Sequence, residues 1–183
     1  MISLRERLRS GTRQAHDATD TAFARFDLTK PAGLLGFLSA HRDAFASMRA
    51  VAKPGLETSL DHALDCLTAD LAVLGTTEKP TVRNGPAVDE VFAQKYLWLG
   101  SRLGTRMLAR KWESGQDETA RAAGRYLTET TTDRTAWRTL CDELEAMPGY
   151  GAEAERILAA SNDWFALFET TCHDHVRRGY AHV

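Results

Sequence analysis

Apolar residues recur along the chain at steps of three and four, and no stretch alternates with the period of two that a strand requires. The first predicted helix opens at Ser3, where Ser3 and Glu6 have capping-box spacing, so that hydroxyl and carboxylate each satisfy a free backbone N–H. Leu4, Leu8, Ala15, Ala22 and Phe23 form its buried side in one continuous run. Thr29 to Pro31 starts a second helix with the stripe Leu34, Leu38, Phe45 and Met48, ended by Pro54-Gly55. A third runs from about 59 to 74 with Gly75 as its cap. Residues 76–86, with their prolines and Gly85, read as a loop. A long fourth helix follows over about 87–112, and a fifth over about 117–127. The Thr128–Thr132 stretch is a weak helix former and reads as a connection. Asp133 is expected to cap a sixth helix, which Pro148-Gly149 breaks, and a last helix covers about 152–176. About seven helices and no sheet predict an all-α, compact multi-helix bundle.

Composition sharpens that picture. The 183 residues suit one domain over 1–183, which can bury roughly 70% of its unfolded surface without disulfides. A net charge of -2 argues against a general nucleic-acid binder, although basic residues crowd the two ends of the chain and leave room for a local basic patch. No apolar run approaches the roughly 20 residues that span a membrane. The charged start of the chain lacks the apolar stretch of a signal peptide, so a cytoplasmic location is expected. Cys66, Cys141 and Cys172 are widely spaced and odd in number, which fits free thiols better than disulfides or a zinc site.

Among residues that can carry chemistry, His16 comes first. It shares a helix face with Leu8, Thr12, Thr19 and Phe23, and a neutral imidazole there can bind metal or haem iron. The plainer reading is a hydrogen-bonded histidine at the core edge. Asp20, four residues on, can fix the ring's tautomer and make it more basic, or it is an ordinary surface carboxylate. Arg9 lies two turns before His16, about 10 Å along the axis, within range of an anionic group on the same ligand, or it is an ordinary solvated charge. On the fourth helix, Gly100 and Gly104 each cost about 1 kcal/mol relative to alanine. Close approach of a flat ligand compensates that cost, and so does helix-to-helix packing. His41 and His62 lack an evident partner, while His173 and His175 read as surface residues near a frayed end. No paired Glu-x-x-His, G-x-S-x-G, P-loop or H-E-x-x-H pattern occurs.

Several of these residues match a known family. Leu4-x-x-x-Leu8 followed by Thr12-x-x-x-His16 resembles the opening helix of haem oxygenases. Leu99-Gly100-Ser101-Arg102-Leu103-Gly104 resembles their distal helix, where G-S-x-L-G is common in bacterial members. Trp137-Arg138 after a Thr-rich connection, and Trp164-Phe165-x-x-Phe168 near the end, are similar to later helices of that branch. The resemblance implies haem b, as cofactor and substrate, held between the first and fourth helices with His16 as proximal iron ligand. It implies Gly100, Ser101 and Gly104 as the distal catalytic wall, Asp20 behind His16, and Arg9 and Arg138 on the propionates. The products implied are biliverdin, carbon monoxide and ferrous iron, formed with electrons from a ferredoxin or flavoprotein reductase. A bilin-binding photoreceptor is an implied downstream partner.

The chain departs from the family at Trp98-Leu99, where bacterial members often read L-E before G-S. A bulky Trp98 is expected to alter how haem seats, and it motivates a second reading: a non-catalytic haem-binding or haem-transfer protein on the same fold. A thiaminase-like or pyrroloquinoline-synthesis-like enzyme would instead need a functional cysteine or acidic pocket, and Cys141 reads as core filler. A helical interaction domain docking through Gly100 and Gly104 is the non-enzymatic alternative.

Overall fold

A computed structural model describes residues 2–129 and 134–180. Among the described residues the chain forms an all-α bundle without a sheet. Its helices are α1 (Leu4–Gly11), α2 (Arg13–Phe23), α3 (Pro31–Ala50), α4 (Glu57–Val73), α5 (Val91–Glu113), α6 (Glu118–Ala122), α7 (Arg125–Glu129), α8 (Arg134–Ala146) and α9 (Ala152–His175), closed by a π turn at Val176–Tyr180. No described helix is long and apolar enough to cross a membrane. The expected cap Asp133 lies outside the described residues, as do Thr130, Thr131 and Thr132 of the expected connection, while Thr128 and Glu129 finish α7.

Two breaks correct the expected count of about seven. The opening run splits into α1 and α2 at Thr12, whose hydroxyl donates to the Leu8 carbonyl at 2.8 Å. Beside it α9 crosses so closely that a Cβ on Gly11 would lie 2.8 Å from Leu158. The expected fifth helix splits into α6 and α7 at Ala123-Gly124. Trp112 of α5 lies over Gly124, where a Cβ would come within 2.2 Å of the indole, and its Nε1 donates to the Ala120 carbonyl at 2.7 Å. Asp70 of α4 then caps α7, accepting from the backbone N–H groups of Arg125 and Tyr126 at 3.0 and 2.8 Å.

The core is organised around α3, which is buried almost continuously from Leu34 to Met48 although it carries Ser39, His41, Arg42, Asp43 and Ser47. Several of these polar groups are answered from outside the helix. Asp43 accepts from Thr81 N–H at 3.0 Å, Ser47 accepts from Arg83 N–H at 2.9 Å, and so the 76–90 segment is strapped across α3. His175 Nε2 lies 3.0 Å from the other Asp43 oxygen. His175 is thus a buried anchor of α9 and not the surface residue that its place near the end suggests. Gln94 of α5 closes the other end of α3, donating to Val51 O at 3.0 Å and accepting from Lys53 N–H at 2.9 Å. Together these bonds fix α5 and α9 relative to α3, leaving a gap between α2 and α5.

Because Gly124 has no room for a side chain, Gly124→Ala is expected to cost about 1–3 kcal/mol by overpacking against Trp112. Urea unfolding followed by circular dichroism measures this; an unchanged midpoint would mean that the α6–α7 break tolerates a Cβ.

Candidate functional site

A groove of about 580 Å³ runs between α2 and α5, within the range of small-molecule sites. On the α2 side, His16, Asp20 and Phe23 line it at helical spacing. The His16 ring is edge-on to Phe165 of α9, with centroids 5.5 Å apart, and its Nδ1 lies 3.2 Å from Asp20 Oδ2. The two are in ion-pair range without hydrogen-bond alignment, and neither ring nitrogen of His16 has a hydrogen-bond partner among the described residues. A carboxylate at that distance is placed to orient a metal-binding imidazole once the two align.

The α5 side presents Leu97, Gly100, Gly104, Met107 and Lys111 at alternating steps of three and four. Among the described residues, an added Cβ at Gly100 would meet only the Trp137 ring, at 3.8 and 3.9 Å, and at Gly104 it would meet nothing within 4 Å. Neither glycine is therefore required for helix-to-helix packing within the chain, which removes the plainer account of this pair. They leave a smooth backbone wall facing His16 across the groove. Ser101 also lines it, but its hydroxyl donates back to the Trp98 carbonyl at 2.8 Å. Trp98 itself turns into the core, edge-on to Phe45 at 5.1 Å and under Arg102, away from the groove.

The floor is aromatic, built from Phe37 and His41 of α3 with Phe165 and Phe168 of α9. His41 is buried, and its Nδ1 lies 3.0 Å from the Phe37 carbonyl. Burial pushes this imidazole down from its ordinary 6.5 to about 3; the Phe37 bond opposes that, and the nearby Arg102 charge adds to it. Burial likewise raises the phenol of Tyr96, which lines the upper wall.

His16, Asp20, Gly100, Ser101 and Gly104 thus come together at one groove. Arg9 and Arg138 do not join them: both are exposed, and neither is among the described lining residues. Among the described residues, Lys111 at the end of the α5 face is the cation that lines the groove. Sequence reading missed it, together with His41, although continuing the three-and-four steps past Gly104 leads to Met107 and Lys111. Met107 is 75% exposed and Leu103 43%, so the mouth of the groove is apolar as well as its floor.

A second cluster lies on α4 and α7. Cys66 Sγ is 3.9 Å from His62 Nε2 and 3.8 Å from Glu129 Oε2, donor types that zinc accepts. Arg125 already holds both Glu129 oxygens at 3.1 and 3.3 Å, and burial pushes the Cys66 thiol up. A metal would have to displace both that arginine and a thiol proton. Cys141 and Cys172 are buried as well, and the three thiols are free.

Comparison with family models and with curated proteins finds no match to this chain, so its functional reading rests on the geometry above.

Two outcomes follow. Gly104→Ala is expected to stabilise the ligand-free protein by up to about 1 kcal/mol, since the added methyl meets no protein atom and improves helix propensity. A loss of stability in thermal unfolding would show that the wall is already filled. For His41, the unfolded chain takes up a proton as pH falls through about 6.5, while the fold resists one until about 3. Stability is therefore full above 6.5 and is lost on acidification toward 3. From pH 7 to 5, urea unfolding should lose about 2 kcal/mol more in wild type than in His41→Phe. Parallel profiles would mean that the fold does not hold this ring neutral.

Proposed function

We propose that the chain binds haem in the α2–α5 groove through His16 and cleaves it oxidatively to biliverdin, carbon monoxide and ferrous iron. The observation that carries this reading is the opposition of an Asp20-backed imidazole and a glycine-backbone wall across a groove of about 580 Å³. A flat, largely apolar ligand with a central metal suits that shape. In this reading His16 offers Nε2 to the metal, and Asp20, 3.2 Å from Nδ1, is placed to fix the tautomer. Gly100 and Gly104 let α5 lie against the opposite face, and no side chain of theirs shields it. Phe23, Phe37, Phe165 and Phe168 give the inner edge an aromatic lining, and Lys111 is placed to meet a carboxylate at the outer one.

Haem, when bound, supplies both the iron that activates dioxygen and the ring that is opened. The protein supplies orientation and exclusion. Ser101 adds no acid, because its hydroxyl is committed to Trp98 O. Electrons must come from outside, from a ferredoxin or a flavoprotein reductase in this reading, and biliverdin made here is available to a bilin-binding photoreceptor. The haem-carrier alternative rests on Trp98, and Trp98 lies in the core instead of the groove. The thiaminase-like alternative asks for a cysteine or acidic pocket; the described lining holds no cysteine and one carboxylate, Asp20.

Haem titration of the purified protein tests the proposal. A Soret band is expected to saturate at about one haem per chain and to be lost or displaced in His16→Ala. Addition of ascorbate, or ferredoxin with its reductase, should then replace it with biliverdin absorption. Saturation without conversion selects the carrier, and no saturable band defeats both haem readings.

A further inference from the structure

The inner end of the groove carries one nitrogen that no described residue engages. His41 lines the groove from α3, within an aromatic box: ring centroids of Phe37, Phe23, Tyr126, Phe45 and Phe168 lie 4.2, 4.4, 5.5, 5.8 and 6.4 Å away. Its Nδ1 is 3.0 Å from the Phe37 carbonyl, and a carbonyl only accepts. The hydrogen therefore sits on Nδ1, and Nε2 presents a lone pair. The charged and titratable groups facing the ring are Arg102 of α5 and Tyr126 of α7, and these two are hydrogen-bonded to each other.

Two hydroxyls along the walls are engaged within the chain. Ser101 Oγ donates to Trp98 O at 2.8 Å, and Thr19 Oγ1 lies 2.9 and 3.2 Å from the carbonyls of Ala15 and Phe165. Asp20 lies 3.2 Å from His16 Nδ1, and Lys111 can only donate. His41 lines the groove, so the donor that completes Nε2 arrives from there.

We propose that His41 is a positioning residue whose Nε2 accepts a hydrogen bond from a proton-bearing group held in the groove, water in the first instance, against the face of the bound ligand. The ligand's identity rests on the haem reading; the acceptor does not. A ring that stays neutral holds water through one of the water's own hydrogens. The second hydrogen and the oxygen lone pairs are then turned toward the ligand. This supplies the ordering that Ser101, bonded back to its own helix, does not.

The test has two parts. Long-range 1H–15N NMR of the ligand-free protein reads the His41 tautomer directly. A bare Nε2 and protonated Nδ1 are expected from about pH 7 down to about pH 5, whereas an Nε2–H tautomer or an imidazolium overturns the proposal. With haem added, ferric optical spectra are followed from about pH 6 to 10 in wild type, His41→Phe and His41→Gln. His16-dependent Soret absorption should persist in all three. The midpoint of the pH-dependent spectral change should move by about one unit in His41→Phe, the size of one hydrogen bond, and return toward wild type in His41→Gln. Identical midpoints in the three proteins overturn the proposal. Absence of saturable haem binding in wild type fails the haem reading instead, and the NMR tautomer then decides His41 alone.

Discussion

A helix buried on every side must have its polar groups answered by other elements, and α3 imposes that condition on this fold. Asp43 is the clearest case: within the core it receives Thr81 N–H on one oxygen and His175 on the other. An unpaired carboxylate there would be strongly destabilising, so the 76–90 segment and the end of α9 are held in register by the need to satisfy it. Ser47 and Gln94 extend the same logic to Arg83 and to the start of α5. The groove exists because these bonds set α5 and α9 around α3, while α2, packed on α9, stays apart from α5.

The groove's two walls accept opposite costs. Gly100 and Gly104 weaken α5, and among the described residues no close atom compensates them. The α2 wall instead sets two exposed polar residues, His16 and Asp20, within 3.2 Å of each other. A rigid helix presents each wall, and a packed aromatic floor separates them. Orientation thus comes from the scaffold instead of from mobile loops.

Burial also sorts the histidines into roles. His16 is open at the mouth, His41 is held neutral by the rings around it, and His175 is engaged by Asp43. These three share a residue type and differ wholly in chemistry, because desolvation and the available partner set what an imidazole can do.

The sequence by itself determined the helical class, most helix limits and the two faces on which the candidate site is built. Periodicity of three and four records which side of a helix is apolar, and paired spacings such as His16–Asp20 and Gly100–Gly104 survive folding because they are local. The tertiary structure alone decided the rest. The breaks at Thr12 and Gly124 follow from the close passage of Leu158 and Trp112, which approach from other helices. Nothing local marks the polar residues of α3 as buried; the 76–90 segment and His175 cover them only once the chain has folded. Spacing along the chain points to Arg9, but Lys111 reaches the groove, because direction around a helix axis counts as well as separation along it. His41 was unreadable for a related reason: its neutrality comes from rings contributed by α2, α7 and α9 as well as its own helix, and no local pattern brings those together.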